Sequence, residues 1–344
     1  MNTFGRKFRV SIFGESHGKQ IGVVLDGVPA GLQLSEEHLM GDILRRKSGA
    51  RGTTPRIEAD QPVIVSGVFE GHTTGAPLTI LFSNTNTHSS DYSLFKNIPR
   101  PGHADFTAEI KYLSFQDPRG GGHFSGRLTL PIVAAGVVAK KILQYSTSQD
   151  GHKVTDDSIS AGIIELGGIP RPEGNNQQMP DVWRIALDQA IREGDSLGAV
   201  VECRVEGMDI GYGEPFWDSV ESVISHAIFS IPGVRGIEFG DGFAAAAMKG
   251  SEHNDPIGPD GIPMKNGSGG VNGGISNGAP IVFRVAFKPT SSIRKEQQTW
   301  NFATCQMDRL VVPGRHDACF ALRAPVVVEA MTAIVLADLV LIKN

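Results

Sequence analysis

Phe8-Arg9-Val10-Ser11-Ile12 places an apolar residue at every second position, the period of a strand buried on one face. Ile21-Gly22-Val23-Val24-Leu25 reads as its antiparallel partner, which leaves the polar run Gly14–Gln20 as the loop between them. A helix follows: Ser35 is its N-cap, Glu36 and Glu37 suit the first turn, Leu34 and Leu39 form a hydrophobic staple, and Gly49 is the stop. Pro62–Ser66 and Leu78–Phe82 read as strands joined by a turn-rich segment. Pro131–Leu143 is an apolar helix rich in Ala and Gly, suited to close packing on a sheet. Asp181–Glu193 has an amphipathic helical pattern, and Ala199–Val205 returns to strand alternation. Asp218–Phe229 reads as a helix leading to a strand at Ile237–Phe239, and Ile281–Phe287 as another strand. Ser251–Pro280 is dense in Gly, Asn and Pro, a loop of a length that is more often functional than idle. Val326–Ile342 is apolar, but Glu329 and Asp338 break it well short of the ~20 clean residues of a membrane span. It predicts a core helix with Pro325 in the first turn. Helices and antiparallel strand pairs mix in both halves, so the fold class is α+β rather than a doubly wound parallel sheet.

The length, 344 residues, alone suggests about two domains. Forty-two glycines and 20 prolines predict many tight turns and backbone-lined sites. A net charge of -5 argues against nucleic acid as partner, so any anion site must be local. Cys203, Cys305 and Cys319 are odd in number and lack metal-ligand spacing, which predicts buried thiols in a reducing compartment. No basic and apolar segment precedes the first strand, and the expectation is a soluble, cytoplasmic protein without a membrane partner.

Gly14-Glu15-Ser16-His17-Gly18 matches the G-x-S-x-G nucleophile elbow of hydrolases. An elbow needs a strand-to-helix turn and earlier strands, whereas here a strand follows and only thirteen residues precede, so His17 becomes the residue of interest. His103 lies in a second Pro/Gly loop, Arg100-Pro101-Gly102-His103-Ala104-Asp105, and Arg315-His316-Asp317 forms a third. Three loops of one make-up point to a shared site. None has the helical or cysteine-rich spacing of a metal centre, and no metal is expected. Arginines gather near these loops: Arg45, Arg46, Arg51, Arg56, Arg100, Arg119, Arg127, Arg315 and Arg323. Arg45 and Arg46 would also complement a helix dipole, which does not explain Arg51 and Arg56. Burying a polyanion requires several such partners, each charge-assisted hydrogen bond contributing about 1.5–3 kcal/mol. Asp117–Arg127 and Gly267–Pro280 are glycine-rich without being P-loops, and their backbone N–H groups can cradle a phosphate or a planar ring. Lys288–Ile293 ends a strand with one cation and three hydroxyls, a set suited to a phosphate monoester.

In order, "FGESHG", "DGVPAG", "LRRKSGARGTTPRIEAD", "RPGHADFT", "RGGG", "EGDSLGA", "GGVNGGISNGAPI", "KPTSSI", "GRHDAC" and "EAMTAIVLAD" resemble the chorismate synthase family over nearly the whole chain. The resemblance implies a single domain over residues 1–344, a sandwich with a helical layer between two antiparallel β-sheets, and a homotetramer. It implies a lyase that eliminates phosphate from 5-enolpyruvylshikimate 3-phosphate to give chorismate, the last step of the shikimate pathway. Reduced FMN is required without net redox. His17 resembles the acid toward the departing phosphate, His103 the histidine that protonates reduced flavin, and Asp317 the aspartate that helps the flavin take the substrate proton. Arg45, Arg46, Arg51, Arg56, Arg100 and Arg127 would hold the phosphate and carboxylates. His123, Phe124, Ser125, Pro232, Gly233, Gly273, Lys288, Pro289, Thr290, Ser291, Ser292 and Arg315 would contact FMN, and Arg46 and Arg51 NADPH. No reductase segment is evident, so an external flavin reductase is the expected source of reduced flavin.

One motif departs. The family reads "GGGRSSARET" where this chain has Gly122-His123-Phe124-Ser125-Gly126-Arg127-Leu128-Thr129, which exchanges a permanent cation for His123 and a hydroxyl for Phe124. Gln116 also stands where the family tends to have arginine. The alternative function is therefore a homologue of the same fold that binds flavin and anions with impaired catalysis.

Overall fold

The computed structural model describes residues 2–54, 58–85, 94–149, 154–174, 179–314 and 316–343, so Arg56 and Arg315 lie outside the described residues. Its helices are α1 (Glu36–Arg46), α2 (Asp105–Lys111), α3 (Thr129–Gln149), α4 (Asp181–Glu193), α5 (Val220–Ile228), the short α6 (Gly250–His253) and α7 (Pro325–Lys343). One sheet runs Thr3–Phe4, Arg9–Gly14, Gln20–Asp26, Leu78–Ser83, Val63–Ser66, every neighbour antiparallel. The other runs Val234–Phe239, Ile281–Phe287, Ala199–Val205, Ile159–Leu166, Ile169–Pro170, again antiparallel throughout.

The alternation read along the chain is what orients these sheets. Ile21, Val23, Leu25, Leu78, Ile80 and Phe82 leave the first sheet on one side and are fully buried. Val201, Cys203, Val205, Ile281, Phe283 and Val285 do the same from the second. Between them lie α3, which meets the first sheet, and α7, which meets the second, with α3 and α7 packed on each other. The architecture is thus the α+β sandwich with helices between two antiparallel sheets. The Ala/Gly helix packs on a sheet as predicted, and its glycine serves a second close approach, to α7. A Cβ added at Gly136 would stand 2.3 Å from Ala330 Cβ, so the two helix backbones nearly touch there.

The two acids that interrupt the apolar α7 are satisfied by distant elements. Glu329 accepts from Arg45 Nη1 and Nη2, both at 2.7 Å, and from the Ala161 N–H at 2.9 Å. Asp338 accepts the N–H groups of Arg6 (3.0 Å), Lys7 (2.7 Å) and Phe8 (2.8 Å), pinning the N-terminal strands to the central helix. Paired in this way, charge is tolerated in a core.

Strands and helices fall close to the predicted spans, with differences that have local causes. The first helix ends at Arg46, before Gly49, because Lys47 turns to ψ 148° while its N–H bonds to Leu44 O. Its N-terminus is closed by the Ser35 N–H donating to His38 Nδ1 at 3.0 Å. Ile159–Leu166, α2 and the hairpin Gln297–Asn301/Gln306–Leu310 lacked a readable hydrophobic period, the hairpin because its residues are mostly polar. The Gly/Asn/Pro stretch holds a small hairpin, Val271–Asn272 with Ile275–Ser276, in place of a structureless loop. Of the three thiols expected to be buried, Cys203 and Cys319 are, whereas Cys305 is exposed at a turn with φ +54°.

Candidate functional site

Residues 15–19 join Arg9–Gly14 to Gln20–Asp26, so Ser16 and His17 occupy a hairpin tip. No helix follows, and the elbow geometry is absent. The Asn84 side chain ties this tip down, donating to Glu15 O (3.2 Å) and Gly18 O (2.9 Å), while the Ser16 N–H donates to Gly122 O at 3.1 Å. His17 is thereby held 7% exposed.

The Arg119–Phe124 turn passes over it with Gly120, Gly121 and Gly122 at φ +62°, +80° and +54°, a path that only glycine follows without strain. A Cβ on Gly120 would lie 2.5 Å from His17 Cδ2, and one on Gly121 3.5 Å from His103 Nε2. The triple glycine is the partition between the two histidines, each ring packed against bare backbone.

On one side of it lies a buried ion cluster. Arg46, at the end of α1, donates through Nε to Thr129 Oγ1 (2.8 Å) and through Nη2 to Gly126 O (2.9 Å), and stands 3.7 Å from Asp60. Arg127 pairs with Asp60 and donates through Nε to Asn84 Oδ1 (3.0 Å), which links the cluster to the His17 loop. Arg323, just before α7, donates to Asp317 Oδ2 at 2.6 Å, and Asp317 Oδ1 accepts the Thr54 N–H at 2.7 Å. Burial pushes Arg46 down to about 9; the charges of Arg323 and Arg127 add to that, and Asp60 and Asp317 oppose it. Among the described residues three guanidiniums share two carboxylates, and Arg127 Nη2, Arg323 Nε and Ser16 Oγ are buried without a partner. Excess positive charge with unfilled donors is an anion site.

His103 lies on the other side. Its Nδ1 is 2.6 Å from Asp105 Oδ1, and Arg100 grips the same carboxylate through Nε (2.8 Å) and Nη2 (2.7 Å). Arg100 Nη2 also comes within 3.1 Å of Nδ1, but a guanidinium only donates, so the shorter contact makes Nδ1–H the donor to Asp105. Burial works against the Asp105 carboxylate, yet hydrogen bonds from Arg100 and His103 and their charge hold it well below the usual range. The "KPTSSI" segment abuts this loop: Ser292 Oγ accepts from Arg100 Nη1 (3.0 Å), Lys288 Nζ bonds to Gly102 O, and Ser291 Oγ donates to Gly102 O (2.8 Å). The Lys288 N–H in turn donates to Gly233 O at 2.9 Å, which brings Pro232-Gly233 alongside. Next to His103 a cavity of about 290 Å³ is lined by Phe95, Phe106, Phe124, Phe302, Gln116 and Gly121.

Other residues singled out from the sequence are elsewhere. Arg45 turns from Arg46 to join Glu329, and Arg51 is exposed and paired with Asp188 of α4 at 2.5 Å. Gly273 is in the small hairpin, whose Gly274 packs on Ser219 and Glu214. Ser125 Oγ accepts the Arg127 N–H at 3.3 Å, and the Ser196 hydroxyl holds Thr290 O at 2.8 Å. His123 bonds through Nδ1 to Gly14 O (2.8 Å) and through Nε2 to the Asn2 side chain (3.2 Å). Asp60 and Asn84 are not among the residues that the sequence singles out, and Arg323 is marked there only as one of the arginines near the loops. Asp60 has φ +51°, a conformation that no pattern of sequence announces.

Fold and site together define a class: an α+β sandwich with a cluster of largely buried cations beside His17 and a phenylalanine-lined cavity beside His103. A family model described as chorismate synthase matches residues 8–341. All of this chain aligns with 98% of the chorismate synthase of Chitinophaga pinensis at 56% identity. The chorismate synthases of Dehalococcoides mccartyi and Korarchaeum cryptofilum are each 45% identical, over 99% and 97% of this chain and 96% of each relative. A crystal structure of chorismate synthase superposes with a TM-score of 0.73 at 30% identity, covering 99% of this chain and 93% of that one. The chain belongs to the chorismate synthase family and is a lyase.

Proposed function

We propose that this enzyme converts 5-enolpyruvylshikimate 3-phosphate to chorismate by anti-1,4-elimination, the C–O bond to phosphate breaking as the C6 proton leaves, and so performs the last step of the shikimate pathway. The observation that carries the reading is the excess of guanidinium at the buried Arg46 and Arg127 and the partly buried Arg323, with donors unfilled among the described residues. A substrate with a phosphate and two carboxylates supplies the missing charge. Departing phosphate gains negative charge in the transition state, and donors fixed in advance stabilise it without reorganising. His17, packed on Gly120 and tied through Asn84 to Arg127, is the proton donor to the departing oxygen.

The residues also fit reduced FMN. A planar, largely apolar ring with a phosphate tail suits a phenylalanine-lined cavity beside His103, with Lys288, Ser291, Ser292 and the buried, unpartnered Thr290 Oγ1 close to the same loop. When bound, the reduced flavin supplies the electron density that an allylic C–H elimination needs, with no net redox. His103, its Nδ1–H given to Asp105, keeps Nε2 as the atom that moves a proton, and Asp317 is oriented by Arg323 and Thr54 to take part in removing the substrate proton. An external reductase is the proposed source of reduced flavin, a reading supported by the different partners of Arg46, which stands near Asp60, and the exposed Arg51, which pairs with Asp188. A homotetramer is proposed too, supported by the exposed Phe216, Trp217 and Phe243.

The test is anaerobic: protein, dithionite-reduced FMN and 5-enolpyruvylshikimate 3-phosphate should yield chorismate and free phosphate, with none when flavin is omitted. Flavin binding without phosphate release would favour the impaired homologue, a reading supported by the His123 ring, which faces Gly14 O and Asn2 and places no cation in the site.

A further inference from the structure

We infer that His123 is a positioning residue for the His17 loop and does not contact the cofactor. The inference rests on the reading of His17 as proton donor. Both ring nitrogens are occupied by protein atoms: Nδ1 lies 2.8 Å from Gly14 O and Nε2 3.2 Å from Asn2 Oδ1. A carbonyl only accepts, so Nδ1 carries the proton toward Gly14; Nε2 then accepts from the Asn2 side-chain amide, whose nitrogen takes the place of the oxygen by a flip, and neither nitrogen is left for a phosphate or a ring. Gly14 is the last residue of its strand, at φ +96°, where a Cβ would meet Gln20 O at 2.5 Å. A glycine backbone does not hold one conformation by itself, so what holds its carbonyl sets the entry angle of the loop.

The neighbouring residue completes the clamp. Gly122 O accepts the Ser16 N–H at 3.1 Å, and Gly120 packs on the His17 ring. The segment 120–123 therefore grips residues 14–17 at three successive points: a carbonyl, an amide and the imidazole. Of these only the first depends on a side chain, and that side chain is His123. Asn2 backs it from the outer strand, where Asn2 O accepts the Ile12 N–H at 2.9 Å. Release of Gly14 O lets the tip move relative to the glycine turn, and displacement of an acid by an ångström is felt in the chemical step rather than in binding.

Three substitutions separate the roles. In His123→Asn the amide nitrogen takes the place of Nδ1 and keeps the bond to Gly14 O. In His123→Gln the amide reaches the place of Nε2 and loses that bond. His123→Ala loses both. Steady-state kinetics with dithionite-reduced FMN, titration of FMN binding, and the imidazole signals of His17 by NMR are measured on the full chain. The Ala and Gln variants should lower kcat about tenfold with KM for the substrate nearly unchanged, while Asn restores kcat to within about twofold. FMN affinity should stay constant across the set, and the His17 signals should move in Ala and Gln but not in Asn. Loss of FMN affinity in all three with kcat intact at saturating flavin would make His123 a cofactor contact and overturn the inference. Three variants that all match the parent would overturn it as well. If the parent itself shows no turnover, the proposed reaction fails, and the inference is then decided by the His17 signals: unmoved in His123→Ala, it is wrong.

Discussion

In the proposed reaction the acid has to be held before the phosphate leaves, and the His17 loop is held from two directions: the Asn84 side chain fixes its carbonyls, and Gly120 forms the surface on which the ring rests. His17→Ala is expected to lower kcat by roughly 10²-fold or more with an unchanged far-ultraviolet circular dichroism spectrum, which stopped-flow or steady-state phosphate release would record. Arg46 gives a second prediction at this scale. Burial and the neighbouring guanidiniums disfavour its charge, and a bound polyanion would offset both. Arg46→Met should therefore raise KM for a polyanionic substrate roughly tenfold or more, which steady-state kinetics would record. The residue types were legible in the sequence, since histidines and arginines in glycine-rich loops point to an anion. Their pairing was not: Arg45 and Arg46 are adjacent in the chain, yet a helix turns them about 100° apart, one to Glu329 and the other to Asp60.

At the scale of elements, the crossing of α3 and α7 depends on one missing side chain. Gly136→Val would drive atoms into Ala330, where even a Cβ finds only 2.3 Å, and α3 also delivers Thr129 to Arg46. The expected loss is about 1–3 kcal/mol in chemical denaturation, with weaker substrate binding as the helix shifts. Element types were read correctly wherever periodicity was strong: Asp181–Glu193, Ala199–Val205 and Ile281–Phe287 match residue for residue. Periodicity failed at α2, which is short and carries His103's partner Asp105 as its first residue. A helix of seven residues that rests on a functional loop has too few apolar positions to announce itself.

For the whole molecule, the sandwich sets Ser292, just beyond the strand Ile281–Phe287 of the second sheet, against the loop that carries Arg100 and leads into Asp105. The Asp105 carboxylate is held below its unfolded value of 3.8, burial opposing and the bonds from Arg100 and His103 prevailing. A depressed carboxylate stabilises the fold fully above the unfolded value and progressively less as pH falls below it. Asp105→Asn should therefore flatten the loss of melting temperature between about pH 4 and pH 2, a change that thermal melts at stepped pH would show. The same carboxylate orients His103, so the variant should also lose turnover at neutral pH.

The sequence by itself determined the class of fold, because strand and helix periods follow from which side chains must leave water, and it determined the kind of chemistry, because loop histidines and arginines have few other uses. Only the tertiary structure decided which arginine meets which acid, that Arg323 and Asp60 belong with Arg46 and Arg127, and that three glycines separate His17 from His103. The physical reason is range. Periodicity is a local property of neighbouring residues, whereas the hydrogen bond from the Thr54 N–H to Asp317 and the ion pair of Arg45 with Glu329 join residues that the chain keeps far apart and only the packing of two sheets around two helices brings together.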